Sequence, residues 1–115
     1  VLINILNNSR DALLENTIDN KLIIINSKVD NERVTIEILD SANGIDEKII
    51  TRVFEPYFTT KYKGQGTGIG LYMSQEIVTK LLKGSIVVSN KKFKYENKYY
   101  KGASFKIELS INSKK

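Results

Sequence analysis

Apolar and polar positions alternate along the chain with two different periods, and the changes of period mark its elements. Over residues 1–15, Leu2, Ile5, Leu6, Ser9 and Leu13 share one side when successive residues turn by roughly 100°, which predicts a helix. Asn4, Asn8, Asp11 and Glu15 line the other side. Two β-rich runs follow, Lys21 to Lys28 and Arg33 to Leu39, joined through the turn formers Asp30, Asn31 and Glu32, and they predict a hairpin. The segment from Asp46 to Val53 reads as a short helix, capped by Asp46 and closed off by Pro56. From Tyr57 to Gly70 periodicity gives way to glycine, as in a mobile loop running into a helix start. The next helix is expected over Ile69 to Lys83, with Met73, Ile77, Val78 and Leu81 inward and Gly84 ending it. Strands near Ser85 to Ser89 and Ala103 to Ile111 close the chain, the second alternating at Phe105, Ile107 and Leu109. These elements make a mixed sheet with helices on one face, an α+β two-layer sandwich.

Composition narrows the chemistry. With 115 residues the chain fits a single domain. It contains no cysteine, which excludes disulfides, thiolate metal sites and a cysteine nucleophile. It contains no histidine either, so the commonest general base and the commonest transition-metal ligand are missing, and a metal here is expected to be a hard, oxygen-bound ion such as Mg. No stretch approaches the roughly 20 apolar residues that span a bilayer, and none resembles a signal peptide. The net charge of +5 is concentrated: Lys91, Lys92, Lys94, Lys98 and Lys101 stand against Glu96 alone. With Phe93, Tyr95, Tyr99 and Tyr100 interleaved, that segment reads as a lysine-rich hairpin with aromatics on one side. The alternative is a nucleic-acid surface.

Four features carry possible chemistry. Asn4, Asn8, Asp11 and Glu15 fall within about a 60° arc of the first helix. A solvated face would look the same, but two asparagines one turn apart gain little in a helix unless their amides find partners, and a carboxamide oxygen is an acceptable Mg ligand. Asp40-Ser41-Ala42-Asn43-Gly44-Ile45 carries an acid out of a strand into a small-residue turn. It is either a plain turn or a fixed carboxylate that accepts a hydrogen bond from an exocyclic amine, with Gly44 letting a flat base approach. Gly64-Gln65-Gly66-Thr67-Gly68-Ile69-Gly70 places alternate glycines just before a helix, where bare amides and the dipole favour anions. It matches neither the dinucleotide fingerprint nor the P-loop. Finally, Phe54-Glu55-Pro56-Tyr57-Phe58 leads into Thr59, Thr60 and Lys61, which have no evident packing role. Lys61 could reach a polyphosphate, and Arg52 is a second candidate.

In this order the segments resemble the nucleotide-binding boxes of the histidine-kinase catalytic domain, of the nitrogen-regulatory type, within the superfamily shared with gyrase, large heat-shock chaperones and MutL proteins. Val1 to Ala12 is similar to the asparagine box, Asp40 to Ile45 to the first glycine box, Phe54 to Phe58 to the phenylalanine box, and Gly66 to Leu71 to the second glycine box. Gly102 to Phe105 resembles a weaker last box. The resemblance implies the Bergerat sandwich: a mostly antiparallel sheet with about three helices on one face. It implies ATP and Mg as cofactors, Asn8 as the metal ligand, Asn4 on the phosphate side, and Asp40 as the reader of the adenine amine. Asp11, Ala42, Gly44, Ile45, Phe58, Thr59 and Thr60 would border the nucleotide. Gly66, Thr67, Gly68, Ile69, Gly70 and Leu71 would surround its phosphates, with Asn4, Asn8 and Lys61 nearest the chemistry. Residues from about Asp46 to Thr67 would include a lid.

Three departures stand out. Ala42 replaces a usual glycine, Asp11 stands where many relatives carry a phosphate-directed lysine (leaving Lys61 or Arg10 as substitutes), and the chain opens inside the first helix, without the usual lead-in strand. The function implied is transfer of the γ-phosphate of Mg-ATP to a histidine on a separate dimerisation domain, in a homodimeric parent that serves a response regulator. The expected setting is cytoplasmic, in a parent that is either soluble or anchored in the inner membrane, with no nucleic-acid partner. An ATPase of the same superfamily is the alternative, but those relatives carry a water-activating glutamate where this chain has Asn4, and a carboxamide is a poor base.

Overall fold

The computed structural model describes residues 1–15, 20–58 and 69–111. Helix α1 spans Leu2–Glu15, strands β1 and β2 span Ile23–Asp30 and Arg33–Asp40, and a single 3-10 turn occupies Ile50–Arg52. Helix α2 covers Gly70–Glu76 and continues as a π-helical turn over Ile77–Leu81, followed by β3, Ser85–Tyr95, and β4, Lys98–Ser110. The sheet order is β1-β2-β4-β3. Every pairing among the described strands is antiparallel, so the expected mixed sheet is wholly antiparallel here.

Both hairpins close through two-residue turns with left-handed backbone at each position. Asn31 and Glu32 have φ of 52° and 64°, and Glu96 and Asn97 have 48° and 68°. Turns of this hand match the twist of the flanking strands, and asparagine tolerates the conformation best among non-glycine residues. The turn expected from Asp30 to Glu32 therefore tightens by one residue, and Asp30 pairs with Arg33 as the last ladder position.

The core lies on one face of the sheet. Ile38, Ile86, Ala103, Phe105 and Ile107 project from the strands, Ile5 comes down from α1, and Val78 comes from the π turn. Phe54 meets Phe105 edge-on, with ring centroids 6.2 Å apart and planes at 89°, and so ties the segment after the 3-10 turn to the sheet. In α1 the buried residues are Ile5, Ser9 and Leu13, as the helical period predicts, while Leu2 is exposed at the free end of the stripe.

Two expectations are corrected. The short helix of Asp46 to Val53 is a turn at Asp46 to Ile49 followed by the 3-10 turn. Asp46 supports it through its carboxylate, which accepts from Lys48 N at 2.9 Å, and through its carbonyl, which accepts from Ile49 N and Ile50 N. In the second helix, Met73 and Leu81 do not face inward; they are 45% and 74% exposed, and Ser74 and Val78 are the buried pair. Two causes act together. Ser74 is drawn inward as a hydrogen-bond partner for Asn4, and the π turn lengthens the repeat, rotating residues after Ile77 away from their 3.6-residue positions. The helix ends with Lys83 at φ 58°, and Gly84 N donates to Val78 O at 2.8 Å. Among the described residues, no helix is long and apolar enough to cross a membrane.

Candidate functional site

Asp40, the last residue of β2, is the centre of the arrangement. It is 2% exposed, and its Oδ1 accepts hydrogen bonds from Ala42 N at 3.0 Å and Ala103 N at 3.1 Å. Burial pushes its carboxyl above the ordinary 3.8, with the two backbone amides and the Ser9 hydroxyl pulling the other way. Ser9 is 1% exposed on α1, and it lies close enough to Asp40 to act on it, though without the geometry of a made hydrogen bond. Both backbone donors go to one oxygen, so the carboxylate is oriented by one edge and can accept a ligand donor on the other.

The loop after Asp40 is shaped by residues that the motif alone does not reveal. Ala42 does not adopt the left-handed backbone; those positions fall on Asn43, φ 70°, and Gly44, φ 86°. The alanine that replaces a usual glycine is thus unstrained, and its amide is one of the two donors to Asp40. A β-carbon on Gly44 would lie 2.6 Å from Asn90 Oδ1, so the space beside this glycine belongs to Asn90. Asn90 clamps the loop: its Oδ1 accepts from Ile45 N and its Nδ2 donates to Ile45 O, both at 2.7 Å, and Nδ2 also donates to Glu47 at 2.8 Å. Ile45 thereby packs against the core cluster. Asn90 sits in the strand β3 that sequence reasoning ended one residue earlier, at Ser89. A lone asparagine inside a β-rich run was the available signal, because asparagine is depleted in strands unless its amide is used.

On the helical side, Asn4 is half-buried, and its Nδ2 donates to Gly70 O and to Ser74 Oγ, each at 3.3 Å. The first helix thus holds the start of α2, joining the asparagine stripe to the glycine-rich approach. Asn8, one turn on, is half-buried, and its carboxamide has no assigned hydrogen-bond partner among the described residues. Asp11 is paired with its exposed neighbour, with Arg10 Nη2 3.0 Å from Oδ1. Arg52 is likewise committed. It pairs with Glu55 at 3.2 Å and stacks 4.6 Å above the ring of Phe58, which is half-buried. Leu71 packs on the core, and Ile69 precedes α2, its carbonyl accepting from Met73 N. Thr59, Thr60, Lys61, Gly66, Thr67 and Gly68 lie outside the described residues.

Residues 1–113 match the family described as histidine kinase-, DNA gyrase B-, and HSP90-like ATPase. The chain belongs to this ATPase family. The sensor PprA of Pseudomonas aeruginosa is 38% identical over 93 residues, covering 78% of this chain and 10% of that protein. The sensor histidine kinase GlnK of Bacillus subtilis is 33% identical over 115 residues, covering 96% of this chain and 26% of that protein. The chain therefore spans between a tenth and about a quarter of these curated relatives. Among solved structures, the catalytic domain of the histidine kinase ThkA superposes with a TM-score of 0.67 at 28% identity, over 96% of this chain and 63% of that one. ThkA in complex with the response regulator TrrA superposes with 0.66 at 26% identity, over 96% of this chain and 27% of that one.

Within this ATPase fold the structure brings Asp40, Ala42, Gly44 and Ile45 into one clamped loop, and Asn4, Ile69, Gly70 and Leu71 into one helix junction. Asn90, Ser9 and Gly102 join the first group; of these the motif reading leaves out Asn90, and it shows Ser9 only as an inward helix position and Gly102 only as the start of the weaker last box.

Proposed function

We propose that the chain binds Mg-ATP as the catalytic domain of a sensor histidine kinase and passes the γ-phosphate to a histidine carried on a separate dimerisation domain. The observation that carries the reading is Asp40: a buried carboxylate, fixed by two backbone amides at a loop of small residues, in a chain whose relatives are sensor kinases. An acceptor oriented in this way favours a base that donates from an amine at the 6-position, where guanine instead carries a carbonyl, hence adenine over guanine.

Asn8 offers a hard carboxamide oxygen with no protein partner assigned among the described residues, and it would be the residue to hold Mg. Magnesium, when bound, neutralises charge on the phosphates. Asn4 holds Gly70 at the start of α2 and so positions the phosphate side, with Gly66, Thr67, Gly68 and Lys61 assigned to the phosphates. In the transfer, the acceptor imidazole nitrogen bonds to the γ-phosphorus, the bond from phosphorus to the bridging oxygen of ADP breaks, and the imidazole proton leaves to solvent. The protein contributes positioning rather than covalent chemistry. Hydrolysis is disfavoured because Asn4, a carboxamide already committed to Gly70 and Ser74, stands where a water-activating base is needed.

With zero histidines in the chain, the acceptor comes from outside it. The partners are the dimerisation domain of a homodimeric parent and a downstream response regulator, in a cytoplasmic setting, with residues 1–115 acting as one catalytic domain. Calorimetric titration with Mg-ADP tests the assignment. Micromolar binding is expected for the wild type, with loss of about tenfold or more in Asp40→Asn and loss of the Mg-dependent increment in Asn8→Ala. Equal affinity in wild type and Asp40→Asn overturns the adenine assignment.

A further inference from the structure

Strands β3 and β4 run past the rest of the sheet. Pairing between β2 and β4 stops at Ser104, whereas β3 and β4 stay paired to Tyr95 and Lys98. The overhang is a two-stranded arm of about 20 Å, at roughly 3.3 Å per residue. On the face that continues from Phe105 and Ala103, strand alternation places Lys92, Lys94, Tyr99 and Lys101. Lys92 lies directly opposite Lys101 in the register, Lys94 rests 5.4 Å above the ring of Tyr99, and Tyr99 is 80% exposed. Like charges facing each other across a ladder destabilise it. None of these three lysines forms an ion pair among the described residues, so the fold carries the repulsion uncompensated.

Among the described residues, the inner edge of the arm is open: Lys101 O accepts from Asn43 N at 2.9 Å on that edge, and by alternation the backbone groups of Tyr99 point the same way with no described strand beside them. Beyond this edge lies a cavity of about 330 Å³, lined by Leu22, Tyr95 and Tyr100 with Lys21 and Lys98, and with Glu96 as its one acidic wall among the described residues. An extended peptide laid along the edge would send alternate side chains toward Lys94 and Lys101 on one face and into the cavity on the other.

We propose that this edge of the arm docks an acidic, extended segment of a protein partner by strand addition. Carboxylates would face the lysines, and an apolar or aromatic side chain would enter the cavity between Leu22 and the rings of Tyr95 and Tyr100. A short segment is favoured over a long polyanion because the positive surface stops at the root of the arm, where Glu37 holds Lys91 and Glu47 holds Asn90. The proposal does not rest on the nucleotide reading.

Fluorescence anisotropy of a labelled peptide of alternating glutamate and tyrosine, titrated with the 115-residue chain, tests it. Micromolar binding is expected, weakened about tenfold in the double variant Lys92→Glu, Lys94→Glu, with Mg-ADP affinity unchanged. The single variant Lys92→Glu, which creates an opposite-charge pair with Lys101, is expected to melt higher than the wild type while binding the peptide more weakly. The inference is overturned if the peptide binds wild type and double variant equally, if it fails to bind at millimolar protein that melts cooperatively, or if a single-stranded oligonucleotide or phosphatidylserine vesicles bind more tightly than the peptide.

Discussion

Gly102 and Asp40 are in backbone contact: a β-carbon on Gly102 would stand 1.5 Å from the Asp40 carbonyl oxygen and 2.8 Å from its Oδ1. Strand β4 can thus deliver the Ala103 amide to Asp40 only because the preceding residue has no side chain. Gly102→Ala is expected to destabilise the protein by on the order of 4 kcal/mol, since the obstacle is backbone and cannot swing aside. Gly44→Ala meets the Asn90 amide that clamps the loop rather than backbone, and is expected to cost about 1–3 kcal/mol, through its left-handed φ and the displaced clamp together. Thermal and urea melts of the two variants check the ranking.

Asp40 and Glu37 are both buried carboxyls, and they predict opposite pH signatures. Burial raises Asp40 above 3.8, so its contribution is most favourable below that pH and is lost as pH rises through the folded value. Relative to wild type, Asp40→Asn is expected to gain stability between pH 3.8 and neutrality while losing nucleotide affinity. Stability curves at several pH values, set beside the calorimetry, read both effects.

Burial also pushes Glu37 up, but Ser104 Oγ at 2.6 Å, Lys91 Nζ at 3.1 Å and Asn26 outweigh it and hold the carboxyl below 4.5. Its stabilisation is present above pH 4.5 and is lost as pH falls through the folded value. Glu37→Gln is expected to cost about 1–3 kcal/mol at neutral pH, with the gap from wild type closing on acidification. Denaturant midpoints across that range provide the check.

Asn90→Ala removes three hydrogen bonds to the loop after β2. Amide exchange at residues 43–47 is expected to quicken about tenfold or more while the β2–β4 ladder stays protected, and nucleotide affinity falls because the loop is no longer held. Equal exchange in wild type and variant would remove the clamp from the site.

The first helix, both hairpins and the alternation of β4 were legible because each follows from a short-range period. Ile5, Ser9 and Leu13 needed only the 3.6-residue repeat, and Asn31 only its tolerance of positive φ. The lysine-rich segment was legible as a hairpin, but not as a direct continuation of β3 and β4 in one ladder, nor with Tyr99 on the face opposite Phe93, Tyr95 and Tyr100, since only the cross-strand register sets both. Met73 and Leu81 were misplaced for a similar reason: a π turn changes the repeat without a sequence mark, and the inward role of Ser74 depends on Asn4, seventy positions earlier. Asp40 was legible as a candidate, whereas its setting was not. Asn90 and Gly102 reach it from distant strands, and no local pattern reports such contacts.

The strand order β1-β2-β4-β3 means that two local hairpins meet along one seam, β2 against β4. Each hairpin closes through two residues, but the seam pairs positions as far apart as Arg33 and Ser110, 77 residues along the chain. Closing such a span is slow compared with forming a hairpin. The seam is therefore the expected rate-limiting step of folding, and because it brings Gly102 and Ala103 to Asp40, that carboxylate gains its second amide, after the local one of Ala42, only when the step is complete.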